Sequence, residues 1–381
     1  MNGTNALHKP RNRATAVAAS FALSLLACTS AQANVNIANA PLFVTSSVDP
    51  NILFIIDDSG SMQWETMPDA ITNIFNQSCC TNYMQWMFPR VDGLHGGADY
   101  ANALRVPSFA ATSNIGNAYR SSLVNTVFYN PSVTYRPWSN PDGSLMPDAP
   151  PNAAPNRPLF PGFGTRDLTS DNTQWARWVD NRTNSHVWQS RTFFPAVYST
   201  YVGPPIADLN AAIDNAASPL WDVTNYVRTE IRPANAPFTG EGRGNRTDCV
   251  AGSCTYAEEI QNFANWYSYH RNRIFASRAG IGAAFSAQPE NMRVGYGAIN
   301  TGGTVIDGVR QFAGTERNVF FENLYLQDVP PQGTPLRRAL DGAGLYFSRS
   351  DDQGPWSSTP GQSGGTDIEC RQSYAILMTD G

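Results

Sequence analysis

An α/β fold with a mostly parallel sheet is predicted by three features of the sequence. Ile52-Leu53-Phe54-Ile55-Ile56 is five consecutive large apolar residues, the pattern of a strand covered on both faces. Tyr374-Ala375-Ile376-Leu377-Met378 is a second run of this kind near the far end of the chain. Between them the order reads strand, long insertion, helix, strand, helix, strand, which suits helices laid on a parallel sheet.

The elements follow in order. Residues 1–33 read as a secretory leader: His8, Lys9, Arg11 and Arg13, then an apolar run from Ala14 to Ala27, then Ala31-Gln32-Ala33 with cleavage after Ala33. Leu25-Leu26-Ala27-Cys28 also resembles a bacterial lipoprotein box, which would make Cys28 the lipidated residue. Retention of the run as an apolar helix is a third reading, although it is short and Ala-rich for a membrane span. The first strand, behind Pro50, stops at Asp57-Asp58-Ser59-Gly60-Ser61. Residues 76–254 are rich in Pro and Gly with scattered aromatics, and they read as a large, irregular but ordered insertion with its own packing. An exposed aromatic recognition surface is the functional alternative there.

From Ala257, the residues Ile260, Phe263, Tyr267, His270, Ile274, Ile281 and Phe285 predict one face of a helix ending near Pro289. His270 on that stripe is a packing residue, and Arg271, Arg273 and Arg278 are expected to solvate the helix. Residues 292–299 predict a strand, and 305–312 a second one beside it. Residues 318–326 predict a helix, and Pro335 suits the first position of another running to Phe347. The last apolar run reads as a buried strand ending at Thr379-Asp380-Gly381.

Charge and cysteine usage narrow the chemistry. The 381 residues hold 26 Lys plus Arg against 31 Asp plus Glu, a net charge of -5, which argues against a general polyanion or nucleic-acid surface. Lys9 is the only lysine, so without the leader every basic side chain is an arginine. That excludes Schiff-base and phosphate-loop lysine chemistry. Past the leader, Cys79, Cys80, Cys249, Cys254 and Cys370 remain. Cys249 and Cys254 are close enough in sequence to staple a Gly-rich loop, worth roughly 2 kcal/mol by loop-closure entropy. The odd count leaves one thiol free or paired outside the chain. Zinc is a poor reading, because Cys79-Cys80 lacks ligand spacing and His95, His186 and His270 do not cluster.

One constellation carries chemistry. Asp57, Ser59 and Ser61 alternate across a strand-to-loop junction, Thr334 precedes a helix, and Asp380 ends a separate strand. All can reach one point at the carboxyl edge of a sheet, where open α/β sheets place their sites. Oxygen-only ligands suit a hard divalent cation, chiefly Mg2+, with Mn2+ as the alternative. Few direct charges leave such an ion electrophilic enough to accept a carboxylate from a partner. Asp58 is the expected outsider, capping the following helix, and Met62 and Trp64 are expected to pack.

These residues resemble the metal-ion-dependent adhesion site of the von Willebrand factor type A fold, whose Asp-x-Ser-x-Ser motif is joined by a later Thr and a later Asp. That likeness implies direct coordination by Ser59, Ser61 and Thr334, with Asp57 and Asp380 acting largely through ordered waters. Further blocks sharpen it. Pro50 to Met62, Phe128-Tyr129-Asn130-Pro131, Gln261 to Tyr269 with the arginines that follow, Gly333 to Leu340 and Cys370 to Tyr374 resemble the PilC/PilY family of type IV pilus biogenesis and tip proteins. The resemblance implies a type A-like domain over 34–381, incomplete at its carboxyl end, with the insertion at about 76–254. It also implies a secreted protein at the bacterial surface, pilus tip, periplasm or outer membrane. Expected partners are pilus tip or minor pilin proteins and a host or surface ligand supplying a carboxylate, with peripheral outer-membrane association. The family's carboxyl-terminal propeller and its calcium site are not in this chain, and a fragment or truncated product with an open sheet edge is expected.

A binding role is expected rather than catalysis. Ser59 stands where an aspartyl-phosphate enzyme needs its second Asp, and Gly361-Gln362-Ser363-Gly364-Gly365 reads as a linker, not a nucleophile loop. The rival to adhesion is a structural pilus assembly factor whose metal site is absent or only ties loops together.

Overall fold

In a computed structural model that describes residues 48–75, 84–89, 105–183, 185–368 and 371–380, the first apolar run forms strand β1 (Asn51–Ile56). Its two-residue period divides it between two cores. Phe54 and Ile56 enter the larger one; Leu53 and Ile55 enter a smaller one on the opposite face. The strand is therefore covered on both sides, as a continuous apolar run requires.

The chain next forms helix α1 (Tyr256–Tyr269), helix α2 (Arg273–Ser286), strand β2 (Arg293–Ala298) and strand β3 (Val305–Gln311). Helix α3 (Gly314–Leu326), helix α4 (Leu336–Phe347) and strand β4 (Ser373–Met378) follow. The four strands make one sheet in the order β3-β2-β1-β4. β1 runs parallel to both β2 and β4, and β3 is antiparallel to β2. On the larger core's face, Phe54 meets the rings of Phe285 from α2 and Phe320 from α3 at 5.4 and 6.3 Å. On the other, Ala339, Ala343 and Tyr346 of α4 pack with Leu53 and Ile55. The described residues fall within one unit, Val48–Gly381. The leader, Cys28, Cys79, Cys80, His95 and Cys370 lie outside the described residues.

Three sequence expectations are corrected. The helix expected over 257–289 is two helices. α1 stops at Tyr269, and Asn272 starts α2 by accepting the Phe275 amide at 2.8 Å. The apolar stripe stays nearly in phase across the break, which is why periodicity alone does not reveal it. Arg271, Arg273 and Arg278 do not solvate a helix; all three are buried. Arg271 pairs with buried Glu65 at 2.8 Å, and Arg278 donates to the Gln327 carbonyl. β4 is the sheet's edge rather than a buried strand, with Tyr374 46% and Ile376 44% exposed.

The described residues of the segment between β1 and α1 are held by aromatic packing and buried charge. A three-stranded sheet joins Arg105–Pro107, Asn172–Val179 and Val187–Phe193, and Val197–Tyr201 pairs antiparallel with Tyr226–Glu230. Trp138 stacks on Tyr325 at 4.8 Å while its indole N–H is shared by the Tyr269 and Phe275 carbonyls. Gly282 makes room for that packing, since a Cβ there would stand 2.1 Å from the Tyr325 hydroxyl. Cys249 and Cys254 are joined by a disulfide.

Glu259 is fully buried on α1 and faces two buried guanidinium groups, Arg243 at 2.8 Å and Arg246 at 2.5 Å. Burial alone would lower the Arg243 pKa, but its hydrogen bond to Glu259 and nearby acidic groups hold it above the usual range. Removing one partner strands the others as uncompensated charge. Glu259→Gln is therefore expected to cost about 3 kcal/mol or more in denaturant unfolding.

His270 follows α1, donates from Nε2 to the Arg136 carbonyl at 2.7 Å and packs on the Tyr135 ring. Burial pushes its imidazole below the ordinary 6.5, opposed by that hydrogen bond. As pH falls through 6.5 the unfolded chain takes up the proton first, so stability present above that value is lost on acidification. His270→Gln should flatten the fall in unfolding midpoint between about pH 7 and pH 5; an unchanged slope would contradict this origin.

Candidate functional site

Two parallel strands in register bring the distant residues together. Ile56 pairs with Met378, so the residues after each strand emerge side by side at the carboxyl edge. The Asp57 amide continues the ladder by donating to the Met378 carbonyl at 2.9 Å. Asp57 then folds back on its own loop, with Oδ1 accepting the Ser59 amide at 2.8 Å, an aspartate turn. Its Oδ2 accepts from the Thr379 hydroxyl at 2.6 Å.

The serines stand next to it. Ser59 Oγ and Ser61 Oγ are 3.0 Å apart, and the Ser61 hydroxyl donates to Asp380 Oδ1 at 3.2 Å. Asp57 and Ser59 are buried and the Asp380 side chain is 6% exposed, so the group meets solvent mainly at half-buried Ser61. Thr334 is exposed and enters through its loop: the Gly60 amide donates to the Gln332 carbonyl at 2.9 Å, and the Asn300 amide group to the Gly333 carbonyl at 3.0 Å. Asp57, Ser59, Ser61 and Asp380 are thus linked by contact, and Thr334 lies two residues beyond a carbonyl that is bonded to the same loop.

The donors are oxygens only, the chemistry a hard cation takes: Ser59 Oγ, Ser61 Oγ and Asp380 Oδ1 are joined by the hydrogen bonds of 3.0 and 3.2 Å. Among the described residues, no three His, Cys, Asp or Glu side chains gather into a metal-holding group. Any ion here would depend on two carboxylates supplemented by hydroxyls and water.

Asp58 does not cap the following helix. It is buried, its Oδ1 accepting the Asn300 amide at 2.9 Å and its Oδ2 the Gln327 side chain at 3.4 Å. Burial raises its pKa, with the Asn300 bonds opposing. It fastens the loops after β2 and α3 to the end of β1. Met62 and Trp64 are buried as packing residues.

Sequence reasoning missed Arg273, Asp69 and Thr379. Arg273 is 4% exposed, and its guanidinium bonds Asp380 Oδ2 at 2.7 Å and Asp69 Oδ1 at 2.5 Å. Burial raises the Asp380 pKa, and Arg273 works against that rise. The one available signal was the polar interruption His270-Arg271-Asn272-Arg273 within an otherwise apolar stripe.

Against known proteins, the chain is similar to the type IV pilus biogenesis factor PilY1 of Pseudomonas aeruginosa. The strain PAK protein is 28% identical over 399 aligned positions, covering 99% of this chain and 27% of that protein. The strain PAO1 protein is 25% identical over 98% of this chain, and the strain UCBPP-PA14 protein 28% over 96%. The chain therefore spans about a quarter of the length of these curated relatives, 27% and 26%. No family model matches it. No solved structure matches it. Among the described residues, no helix is long and apolar enough to cross a membrane.

Proposed function

We propose that this chain is an envelope-exported binding module that serves type IV pilus biogenesis and engages a protein or surface ligand through a divalent-cation site. The pilus part rests on the 25–28% identity to PilY1 over nearly the whole chain. The cation part rests on one observation: oxygens from residues 319 apart in sequence, Ser61 and Asp380, meet at 3.2 Å on an open sheet edge.

A von Willebrand factor type A-like arrangement is supported by the sheet order, by the antiparallel β3 beside three parallel strands, and by the position of the Asp-x-Ser-x-Ser loop after β1. Bound there, Mg2+ or Mn2+ would supply an electrophile that a partner's carboxylate completes. The chain's residues do the rest. Asp57 orders the loop through the Ser59 amide, Ser59 and Ser61 present hydroxyls, Asp380 contributes charge, and Thr334 stands on the neighbouring loop. The role is binding, with no bond broken. Its partners in this reading are pilus tip or minor pilin subunits and an acidic surface ligand.

A second reading has an observation behind it. The Arg273–Asp380 ion pair already neutralises one carboxylate, as a structural assembly factor without a working cation site would have it. Thermal unfolding in a Mg2+ series separates the two. Wild type should gain about 2.7 kcal/mol when free Mg2+ reaches about 100 times its Kd, and Asp57→Ala should gain nothing. Equal responses from both proteins would leave only the structural reading.

A further inference from the structure

Arg273 occupies a position that its own helix disfavours. It is the first residue of α2, where the positive end of the helix dipole repels a cation. It is nonetheless buried and held on every side. Its backbone amide donates to the Trp64 carbonyl at 3.1 Å, its Nε to the Thr66 carbonyl at 2.9 Å, and its guanidinium lies 4.9 Å from the Trp64 ring centroid. The two terminal nitrogens then divide between two carboxylates of opposite exposure. Asp380, with a side chain 6% exposed, belongs to the candidate site; Asp69, 71% exposed, lines an adjoining cavity of about 660 Å³ with Trp64, Asn73, Arg182 and Asp214.

We infer that Arg273 is a positioning residue and internal counter-cation that sets the divalent-ion affinity of the site, with Asp69 as the balancing acceptor. The inference rests on the cation-site reading above and adds its regulation. The guanidinium holds Asp380 Oδ2 and orients Oδ1 toward Ser61. Its positive charge opposes an incoming divalent ion, and the anchors at Thr66 and Trp64 stop it from swinging away. Asp69 offsets part of that charge from the solvent side. Whatever alters Asp69, including a ligand in the cavity beside it, therefore alters how readily the site takes its ion.

The test is Mg2+ affinity of the purified chain by calorimetric titration, with unfolding midpoints measured without added metal as the fold control. Arg273→Gln should tighten Mg2+ on the order of tenfold, by removing one buried positive charge a few ångströms away. Asp69→Asn, on the exposed rim, should weaken it about threefold by leaving that charge less compensated. Arg273→Lys should restore an affinity near wild type. A purely structural arginine would lower the metal-free midpoint in Arg273→Gln and leave Kd unchanged in both variants, which would overturn the inference while the cation site stood. If Arg273→Gln does not fold, the Kd of Asp69→Asn decides alone. Absence of binding in every variant would remove the cation-site reading itself, and this inference with it.

Discussion

Everything at the carboxyl edge depends on the parallel pairing of β1 with β4. Ile56 lies opposite Met378, and the Asp57 amide extends the ladder to the Met378 carbonyl. Because both strands run the same way, the chain leaves them at the same edge, and Asp57 and Thr379 meet without a long loop. An antiparallel neighbour would send its chain to the opposite end of the sheet. A one-residue slip would also reverse which side chains face each core, exposing part of the apolar run that two hydrophobic clusters now share. Burial of β1 on both faces thus fixes the register, and the register fixes the distance between the acids.

With one lysine near its start, the chain assigns its interior charge to guanidinium groups. Arg120, Arg243, Arg246, Arg271, Arg273 and Arg278 are all buried. Each can serve several acceptors from one planar head. Arg120 reaches the carbonyls of Met87, Pro107, Ser108 and Gly116. Burial nevertheless exacts its cost where anions are lacking: the Arg278 pKa is pushed down to about 10 by desolvation. Arg273 has two anions, as Arg243 and Arg246 do, but one of its pair is Asp380 of the candidate site.

The strand ends were legible because an unbroken apolar run stopped by polar residues is a local signal, at Asp57 for the first run and at Thr379-Asp380 for the second. The break between α1 and α2 was not, since Ile274 continues the stripe set by Tyr267 and His270, and one capping Asn is weak against seven positions in phase, six of them apolar. The apolar run alone did not show the edge exposure of Tyr374 and Ile376, because an all-apolar strand looks the same whether its neighbours cover it or not; the open sheet edge was expected only from the family resemblance. The destinations of Arg271 and Arg273 were illegible in principle. Their acidic partners, Glu65, Asp69 and Asp380, lie more than a hundred residues away, and no spacing rule connects them.

The long segment between β1 and α1 has a physical role at the site despite lying outside its contacts. The chain that leaves Ser61 is held at each step by that segment or by the α1–α2 corner. Glu65 accepts the Met87 amide at 2.7 Å and Arg271 at 2.8 Å, while its own carbonyl accepts from Asn125 at 2.9 Å. The Met67 amide donates to Asn125 at 3.0 Å, and the Thr66 carbonyl accepts from Arg273. A serine loop ordered in advance loses little conformational entropy when it takes a ligand, whereas a free loop would forfeit about 1–2 kcal/mol per residue. The insertion and the α1–α2 corner therefore stiffen residues 65–67, and loosening Asn125 or Glu65 would reach Ser61 without altering any atom in contact with it.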